Sequence, residues 1–194
     1  MELKAVVPDL REARAALTAA GWTLTLTGRL EDRRYDTAAR ELAASDVVLR
    51  IRTVRAPDGT RSTLEWKGPT GVADGFKVRE EIGTTVGDPD TLAAILERVG
   101  YRVTREIDRD IVQFASGSTT VRFERYPRMD VLVEVEGTPE GIEAAIRALG
   151  IPRDAFTAER LPDFVRAYER RTGQRAALCD RELAGDYRYG VGDA

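Results

Sequence analysis

Charged side chains recur at even spacing along this sequence, mostly two residues apart, and they carry both signs. They are Glu2 and Lys4, Arg50 and Arg52, Glu65 and Lys67, Lys77 with Arg79 and Glu81, Arg105 and Arg109, Arg122 and Glu124, and Glu134 and Glu136. Arginine binds phosphate oxygens through paired hydrogen bonds, lysine binds them as a point charge, and carboxylates bind hard cations such as Mg²⁺. On one surface, these residues could hold a polyphosphate together with a divalent metal ion.

The positions between these charges are largely apolar, which indicates strands with one charged and one apolar face. Examples are Leu49 and Ile51, Leu64 and Trp66, Phe76 and Val78, Val121 and Phe123, and Val133 and Val135. An open sheet with its ionic face in water shows the same alternation. Solvated faces usually carry many threonine, serine and glutamine residues, so the recurrence of paired arginine, lysine and glutamate favours an enclosed charged surface.

The order of elements predicts an α+β protein with an antiparallel sheet. Predicted strands cover about 2–7, 22–36, 46–55, 60–67, 75–86, 101–115, 119–126 and 131–137, and predicted helices cover about 9–20, 88–99, 138–149 and 159–171. Ala56-Pro57-Asp58-Gly59 is a hairpin signal, and most strand links are short. Such links favour an antiparallel sheet or barrel over a doubly wound fold. The final residues predict a loose tail.

Composition narrows the chemistry further. The 194 residues contain no histidine and one cysteine, Cys179, and the net charge is −3. Histidine-based catalysis, histidine metal ligands and an intramolecular disulfide are therefore excluded. A metal site must use carboxylates, which favours magnesium, manganese or calcium. The net charge gives no attraction to nucleic acid. No apolar run could span a bilayer. The charged N-terminus lacks a signal-peptide core and predicts a cytoplasmic protein.

Several short motifs resemble the CYTH superfamily of triphosphate tunnel enzymes. They are Glu2-Leu3-Lys4, 32–37, Leu49-Arg50-Ile51-Arg52, 64–69, 77–81, 124–127 and 132–137. The resemblance runs from residue 2 to about 175, and the order and spacing of the motifs carry it. It implies an eight-stranded antiparallel β-barrel with helices packed outside, formed by residues 1–175, and a C-terminal tail, 176–194.

The resemblance also implies residue roles. Triphosphate binding falls to Lys4, Arg50, Arg52, Lys67, Lys77, Arg79, Arg105, Arg109 and Arg122. Binding of Mg²⁺ or Mn²⁺ falls to Glu2, Glu124, Glu134 and Glu136, and the catalytic roles fall to Glu2, Lys4 and Arg52. This sequence departs from the family pattern in two ways: the first glutamate of the opening motif would precede Met1, and Ile107 stands where the family has a basic residue. Arg105, on the same strand face, is the expected replacement.

The resemblance leaves three functions open. The first is class IV adenylyl cyclase-like conversion of ATP to cyclic AMP and pyrophosphate. The second is hydrolysis of thiamine triphosphate, a nucleoside triphosphate or inorganic tripolyphosphate. The third is a module that binds nucleotide or polyphosphate without turnover. In each case the expected partner is a triphosphate small molecule, and the chain acts as a monomer or homodimer.

Overall fold

A computed structural model describes residues 1–190 as an α+β fold with one antiparallel sheet. In chain order the elements are β1 (Glu2–Val6), α1 (Leu10–Ala19), β2 (Thr23–Asp36), α2 (Glu41–Ala44), β3 (Val48–Ala56), β4 (Gly59–Lys67), β5 (Gly71–Ala73), β6 (Phe76–Val78), β7 (Glu81–Val86), α3 (Pro89–Arg98), β8 (Arg102–Ser116), β9 (Thr119–Arg125), β10 (Leu132–Glu136), α4 (Pro139–Leu149), α5 (Leu161–Thr172) and α6 (Asp180–Ala184). The predicted α+β class and antiparallel sheet are confirmed, whereas the predicted eight-stranded barrel is not, because the sheet has ten strands.

The sheet contains ten strands in the order β5-β6-β1-β10-β9-β8-β2-β3-β4-β7, and this hydrogen-bonded order is not closed. The predicted strand 75–86 is divided into β6 and β7 by Arg79 and Glu80, and a separate short strand, β5, follows β4. The break between β4 and β5 lies opposite the break between β6 and β7. The Gly68 N–H in the first donates to the Glu80 carbonyl in the second at 2.9 Å. Pro69 explains the interruption, since proline has no N–H to donate to a neighbouring strand.

The sheet is strongly curved. β6 pairs with β1 through Lys77 and Glu2, whereas β7 pairs with β4 at the other end of the strand order. Only Arg79 and Glu80 separate β6 from β7 along the chain, so the two ends of the order come close together here. The charged side chains of the strands line the space inside this curve.

The apolar face of the sheet lies on the outside, where helices cover it. α1 and α4 pack over β1, β9 and β10 in a cluster that includes Leu3, Leu17, Phe123 and Ile142. A second cluster joins α3 to β2 and β3. Asp9 caps α1 and Asp88 caps α3 by accepting backbone N–H groups, while Thr138 does so for α4. α1, α3 and α4 thus lie outside the sheet as expected.

α5 and the C-terminal segment depart from that expectation, because they pack at one end of the inner face. Phe164 and Leu178 join a cluster with Ile107 and Leu132, and Leu132 shares a strand face with Glu134. Residues 176–190 are not the predicted loose tail: Asp108 N–H donates to the Leu178 carbonyl at 2.7 Å, and residues 176–179 are buried. The rest of the predicted tail, 191–194, lies outside the described residues.

The helices of residues 1–190 are short. The longest, α5, has 12 residues, whereas a helix needs about 20 apolar residues to cross a bilayer. No helix of the described chain could therefore span a membrane.

Candidate functional site

The inner face of the sheet encloses a cavity of about 350 Å³. Twelve basic and eight acidic side chains line it, in a protein whose net charge is −3. The cavity lining includes Lys4, Arg50, Arg52, Lys67, Lys77, Arg79, Arg109 and Arg122, together with Glu2, Glu124, Glu134 and Glu136. The structure thus brings together every predicted triphosphate-binding, metal-binding and catalytic residue except Arg105. The positive excess makes the cavity attractive to a polyanion.

Asp32 organises the arginines on one side of the cavity. It lies on β2 and is 1% exposed. Its carboxylate accepts hydrogen bonds from Arg52 at 2.8 and 2.9 Å, from Arg109 at 3.0 Å and from Arg50 at 3.2 Å. Burial alone would raise the pKa of Asp32, but the charges of Arg50, Arg52 and Arg109 hold it well below its usual value. Asp32 therefore stays ionised and fixes the orientation of three guanidinium groups.

Lys4 occupies the centre of a second group of charges. Its ammonium donates to Glu2 at 2.9 Å and to Glu134. Burial would lower the pKa of Lys4, but Glu134 and Glu2 outweigh that effect and raise it. Burial would likewise raise the pKa of Glu134, and Arg122 with Lys4 keeps it well below its ordinary value. Each buried charge in this group therefore stays ionised because of its neighbours.

Glu124 links the two groups of charges. Its Oε1 accepts hydrogen bonds from Arg109 at 2.9 Å and Arg122 at 3.2 Å, and its Oε2 accepts from the Tyr126 hydroxyl at 2.6 Å. Burial would raise the pKa of Glu124, but Arg109 and Arg122 lower it to about 2. The result is one continuous network of ion pairs across β8, β9 and β10, with arginine side chains held in place before any ligand arrives.

The carboxylates suit a metal ion that arrives with phosphate rather than one held by protein alone. Within residues 1–190, no three acidic side chains are grouped as a preformed metal site. Glu2, Glu124 and Glu134 are each paired with a basic group, whereas Glu136 is exposed at the cavity. Partial desolvation at the cavity and then the charge of Glu134 raise the pKa of Glu136, so a second carboxylate acts on it. Mg²⁺ commonly binds one or two carboxylates plus substrate phosphates, and the donor set fits that mode.

Arg105 lies outside the cavity, in contrast to the prediction that it helps bind triphosphate. Its guanidinium donates two hydrogen bonds to Glu182 of α6, both at 3.0 Å, and stacks over the Tyr189 ring at 4.9 Å. The residue is 3% exposed. The pairing of Arg105 with Glu182 was not predicted from the sequence, because Glu182 falls in the segment that was predicted to be a loose tail. Arg105 therefore anchors the C-terminal segment.

Glu182→Gln should separate this anchoring role from ligand binding. We expect it to lower the free energy of unfolding by about 3 kcal/mol, because the buried Arg105 would lose its charged partner. Affinity for tripolyphosphate, measured by calorimetry, should change little. Glu143→Gln, which removes a surface pair with Arg153, is the matched control and should cost about 0–1 kcal/mol. A folded Glu182→Gln protein that no longer binds tripolyphosphate would show that the anchor also shapes the cavity.

Two charged residues of β2 line the cavity but were not predicted as site residues. Asp32 and Arg34 share the inner face of β2, and they lie opposite Arg52 and Arg50 of β3. Burial, reinforced by Arg50, lowers the pKa of Arg34 to about 9. The sequence could have predicted both, because charged residues two positions apart also occur in β2, at Asp32 and Arg34.

Four further residues of the cavity lining come from α5 and the residue before it. Arg160, Leu161, Pro162 and Arg166 line the cavity. Only tertiary packing brings them there, so no strand pattern could have identified them.

Solved structures similar to this chain share its fold. PH1819 from Pyrococcus horikoshii OT3 is 21% identical with a TM-score of 0.67, covering 82% of this chain and 93% of the other. A candidate adenylate cyclase from Vibrio parahaemolyticus is 18% identical with a TM-score of 0.73, covering 86% and 97%. HpAC1 from Hippeastrum, a candidate adenylyl cyclase described as having a dominant triphosphatase activity, is 18% identical with a TM-score of 0.59, covering 92% and 99%.

No curated protein matches the chain. The sequence profile of the CYTH domain, however, matches residues 1–130. This match includes Lys4, Arg50, Arg52 and Glu124 and ends before β10, so the placement of Glu134 and Glu136 beside them comes from the fold. Because the profile covers well over half of the sequence, the chain belongs to the CYTH family.

Proposed function

We propose that this protein is an enzyme that acts on a triphosphate compound inside the curved sheet. The observation that carries the proposal is the excess of basic side chains around the cavity, with three arginines already oriented by Asp32. Donors fixed in advance bind a multiply charged phosphate chain without the cost of ordering flexible side chains. Family membership supports the same substrate class.

A closed tunnel is part of this proposal. If β4 with β5, and β6 with β7, are each counted as one interrupted strand, the sheet has eight strands. The β1–β6 pairing at Glu2 and Lys77, and the hydrogen bond from Gly68 to Glu80, support a ring closed through these interrupted strands. Such closure would exclude water from the charged face and strengthen each contact with phosphate.

We further propose that the enzyme uses Mg²⁺ or Mn²⁺. Glu134 and Glu136, with Glu2 and Glu124 beside them, would hold the ion jointly with substrate phosphates. When bound, the ion would neutralise charge that develops on the transferred phosphoryl group. Lys4, Arg52 and Arg109 would bind phosphate oxygens, and the ion pairs with Asp32, Glu134 and Glu124 would keep these basic groups in position.

Class IV adenylyl cyclase-like conversion of ATP to cyclic AMP and pyrophosphate is the leading activity. The description of the Vibrio parahaemolyticus structure supports it. Triphosphatase activity is the alternative, supported by the description of HpAC1. The two differ in the nucleophile: the ribose 3′-hydroxyl attacks the α-phosphorus in a cyclase, whereas water attacks the terminal phosphorus in a hydrolase. The same basic residues would serve either reaction.

Analysis of the reaction products separates these activities. The protein is mixed with Mg²⁺ or Mn²⁺ and, in separate reactions, with ATP, thiamine triphosphate or tripolyphosphate, and the products are resolved by ³¹P NMR. Cyclic AMP with pyrophosphate supports the cyclase, and orthophosphate release supports the hydrolase. Tight binding of all three compounds without any product would contradict the enzyme proposal and favour a binding module.

The cellular setting follows from the same features. We propose a cytoplasmic protein that acts as a monomer or homodimer on small molecules and does not bind nucleic acid. The net charge of −3 supports the last point, because a nucleic-acid surface requires basic residues in excess on the outside.

A further inference from the structure

Asp46 lies at the opening of the cavity and has an unusual backbone conformation. It belongs to the turn between α2 and β3, it lines the cavity, and its side chain is 38% exposed. Its φ angle is 52°, in the left-handed region that few residues other than glycine, asparagine and aspartate adopt. Strain of this kind persists only where the surrounding contacts hold it, and it is frequent at ligand-binding sites.

The Asp46 side chain connects its turn to two other segments. Its Oδ2 accepts a hydrogen bond from the Thr70 backbone N–H at 2.6 Å, in the break between β4 and β5. Its Oδ1 accepts one from the guanidinium of Arg160, the residue before α5, at 2.9 Å. Because the Arg160 side chain is 54% exposed, that ion pair contributes little. We therefore expect the bond from Thr70 to hold the turn more firmly.

The backbone carbonyl of Asp46 in turn holds Arg79. The Nη2 of Arg79 donates to this carbonyl, and its Nε donates to the carbonyl of Gly68. The two carbonyls belong to different segments, so together they fix the plane of the guanidinium, whose side chain is 10% exposed. A guanidinium has five N–H groups. Arg79 can therefore keep both bonds and still donate to a phosphate in the cavity.

Resting on the proposed function, we propose that Asp46 is the positioning residue for Arg79 at the opening of the cavity. Its side chain holds the turn in the left-handed conformation, and this conformation directs its carbonyl to Arg79. The guanidinium then meets a phosphate chain already ordered, without the loss of freedom that a flexible side chain undergoes on binding. Asp46 does not itself bind the substrate, because its carboxylate repels phosphate.

Three replacements of Asp46 test this role by calorimetry with tripolyphosphate in the absence of metal. Asp46→Ala removes both side-chain hydrogen bonds and disfavours the left-handed conformation, so the carbonyl turns away from Arg79. We expect affinity to fall by about tenfold, the loss expected for a hydrogen bond to a charged group. Asp46→Asn keeps an acceptor for Thr70 and tolerates the same φ angle, so its affinity should stay within about threefold. Asp46→Gly allows the φ angle but has no side chain to hold it. Its affinity should lie between the two, and it replaces Asp46→Ala if that variant does not fold.

Asp74→Ala is the matched control for the backbone conformation. Asp74 lies in the exposed turn between β5 and β6, and its φ angle is 53°. Within residues 1–190, its carboxylate makes no hydrogen bond or ion pair. Its replacement imposes the same conformational cost as Asp46→Ala without altering a contact of Arg79, so affinity for tripolyphosphate should not change.

A double-mutant cycle shows whether the effect of Asp46 passes through Arg79. Arg79→Ala alone should weaken binding of tripolyphosphate, and adding Asp46→Ala should have little further effect, because residues that act through one contact are not additive. Equal losses in both backgrounds, or an Asp46→Ala protein that binds as tightly as the unchanged one, would overturn this inference alone. An unchanged protein that does not bind tripolyphosphate would refute the proposed function, and this inference with it.

Discussion

Asp32→Asn is expected to lower the free energy of unfolding by about 3–5 kcal/mol, the largest stability effect among the cavity residues. The carboxylate of Asp32 is the common acceptor for Arg50, Arg52 and Arg109. Its removal leaves buried guanidinium groups without a compensating charge and lets them move away from their present positions. Urea unfolding monitored by circular dichroism measures the loss, and calorimetry with tripolyphosphate shows whether affinity falls with it.

Asp110→Asn provides the matched control. Asp110 is partly exposed and pairs with Arg125 at the surface, so its replacement should cost about 0–1 kcal/mol. The pH dependence gives a second check. Because the folded protein lowers the pKa of Asp32, the contribution of Asp32 is present above its unfolded pKa of about 4 and is lost as the pH falls through the lower folded value. An Asp32→Asn protein as stable as the unchanged one at pH 7 would contradict the organising role of this carboxylate.

The second large effect concerns the carboxylates of β10. Glu134→Gln and, separately, Glu136→Gln should each reduce metal-dependent turnover by about 100-fold or more, because each removes a charged ligand that the metal–phosphate complex needs. Triphosphate binding without metal should persist in both variants. For Glu134→Gln it should strengthen, since Lys4 and Arg122 lose a competing anion. Product formation as a function of Mn²⁺ concentration, with calorimetry in its absence, separates the two effects.

The Glu136 variant protects this test from a simple folding defect, because Glu134, unlike Glu136, is buried and paired with Lys4 and Arg122. Glu136 is exposed, so its replacement should leave the fold intact. Glu140→Gln, on the exposed surface of α4, is the control for removing one negative charge. Turnover that survives both Glu134→Gln and Glu136→Gln, with unchanged metal dependence, would show that the metal assignment is wrong.

Strand alternation predicted most of the candidate site because the side-chain period of a strand is two. Lys4 and Glu134 are 130 residues apart in sequence, yet each was placed on the charged face of its own strand, and β1 pairs with β10 so that they lie opposite each other. The apolar partners Leu3 and Val133 then fall on the outer face, under the helices. A local pattern sufficed here because the sheet repeats it on strand after strand.

Features that depend on tertiary packing could not be predicted from strand alternation. The inward position of α5 arises because Phe164 and Leu178 complete a core with Ile107 and Leu132. The pairing of Arg105 with Glu182 requires α6, which has only five residues and weak sequence signals. Pro69 could have predicted the break between β4 and β5, because a proline within a strand has no backbone N–H to donate to the neighbouring strand.

The local charge of the cavity also shows why the overall charge is a poor guide to what an enclosed cavity binds. Excess negative charge over the whole chain coexists with a cavity that has four more basic than acidic lining groups. Ion pairs with buried carboxylates make this concentration of arginines and lysines tolerable in the folded protein. A multiply charged anion would satisfy the remaining positive charge.

A crystal structure with a nonhydrolysable ATP analogue and Mn²⁺ would show directly whether the cavity binds triphosphate and metal together. We expect the triphosphate within the cavity, in contact with Lys4, Arg52 and Arg109, and an anomalous manganese signal between the phosphates and the carboxylates of Glu134 and Glu136. Binding of the analogue to the outer surface, or a cavity that stays free of phosphate at saturating analogue, would contradict this expectation.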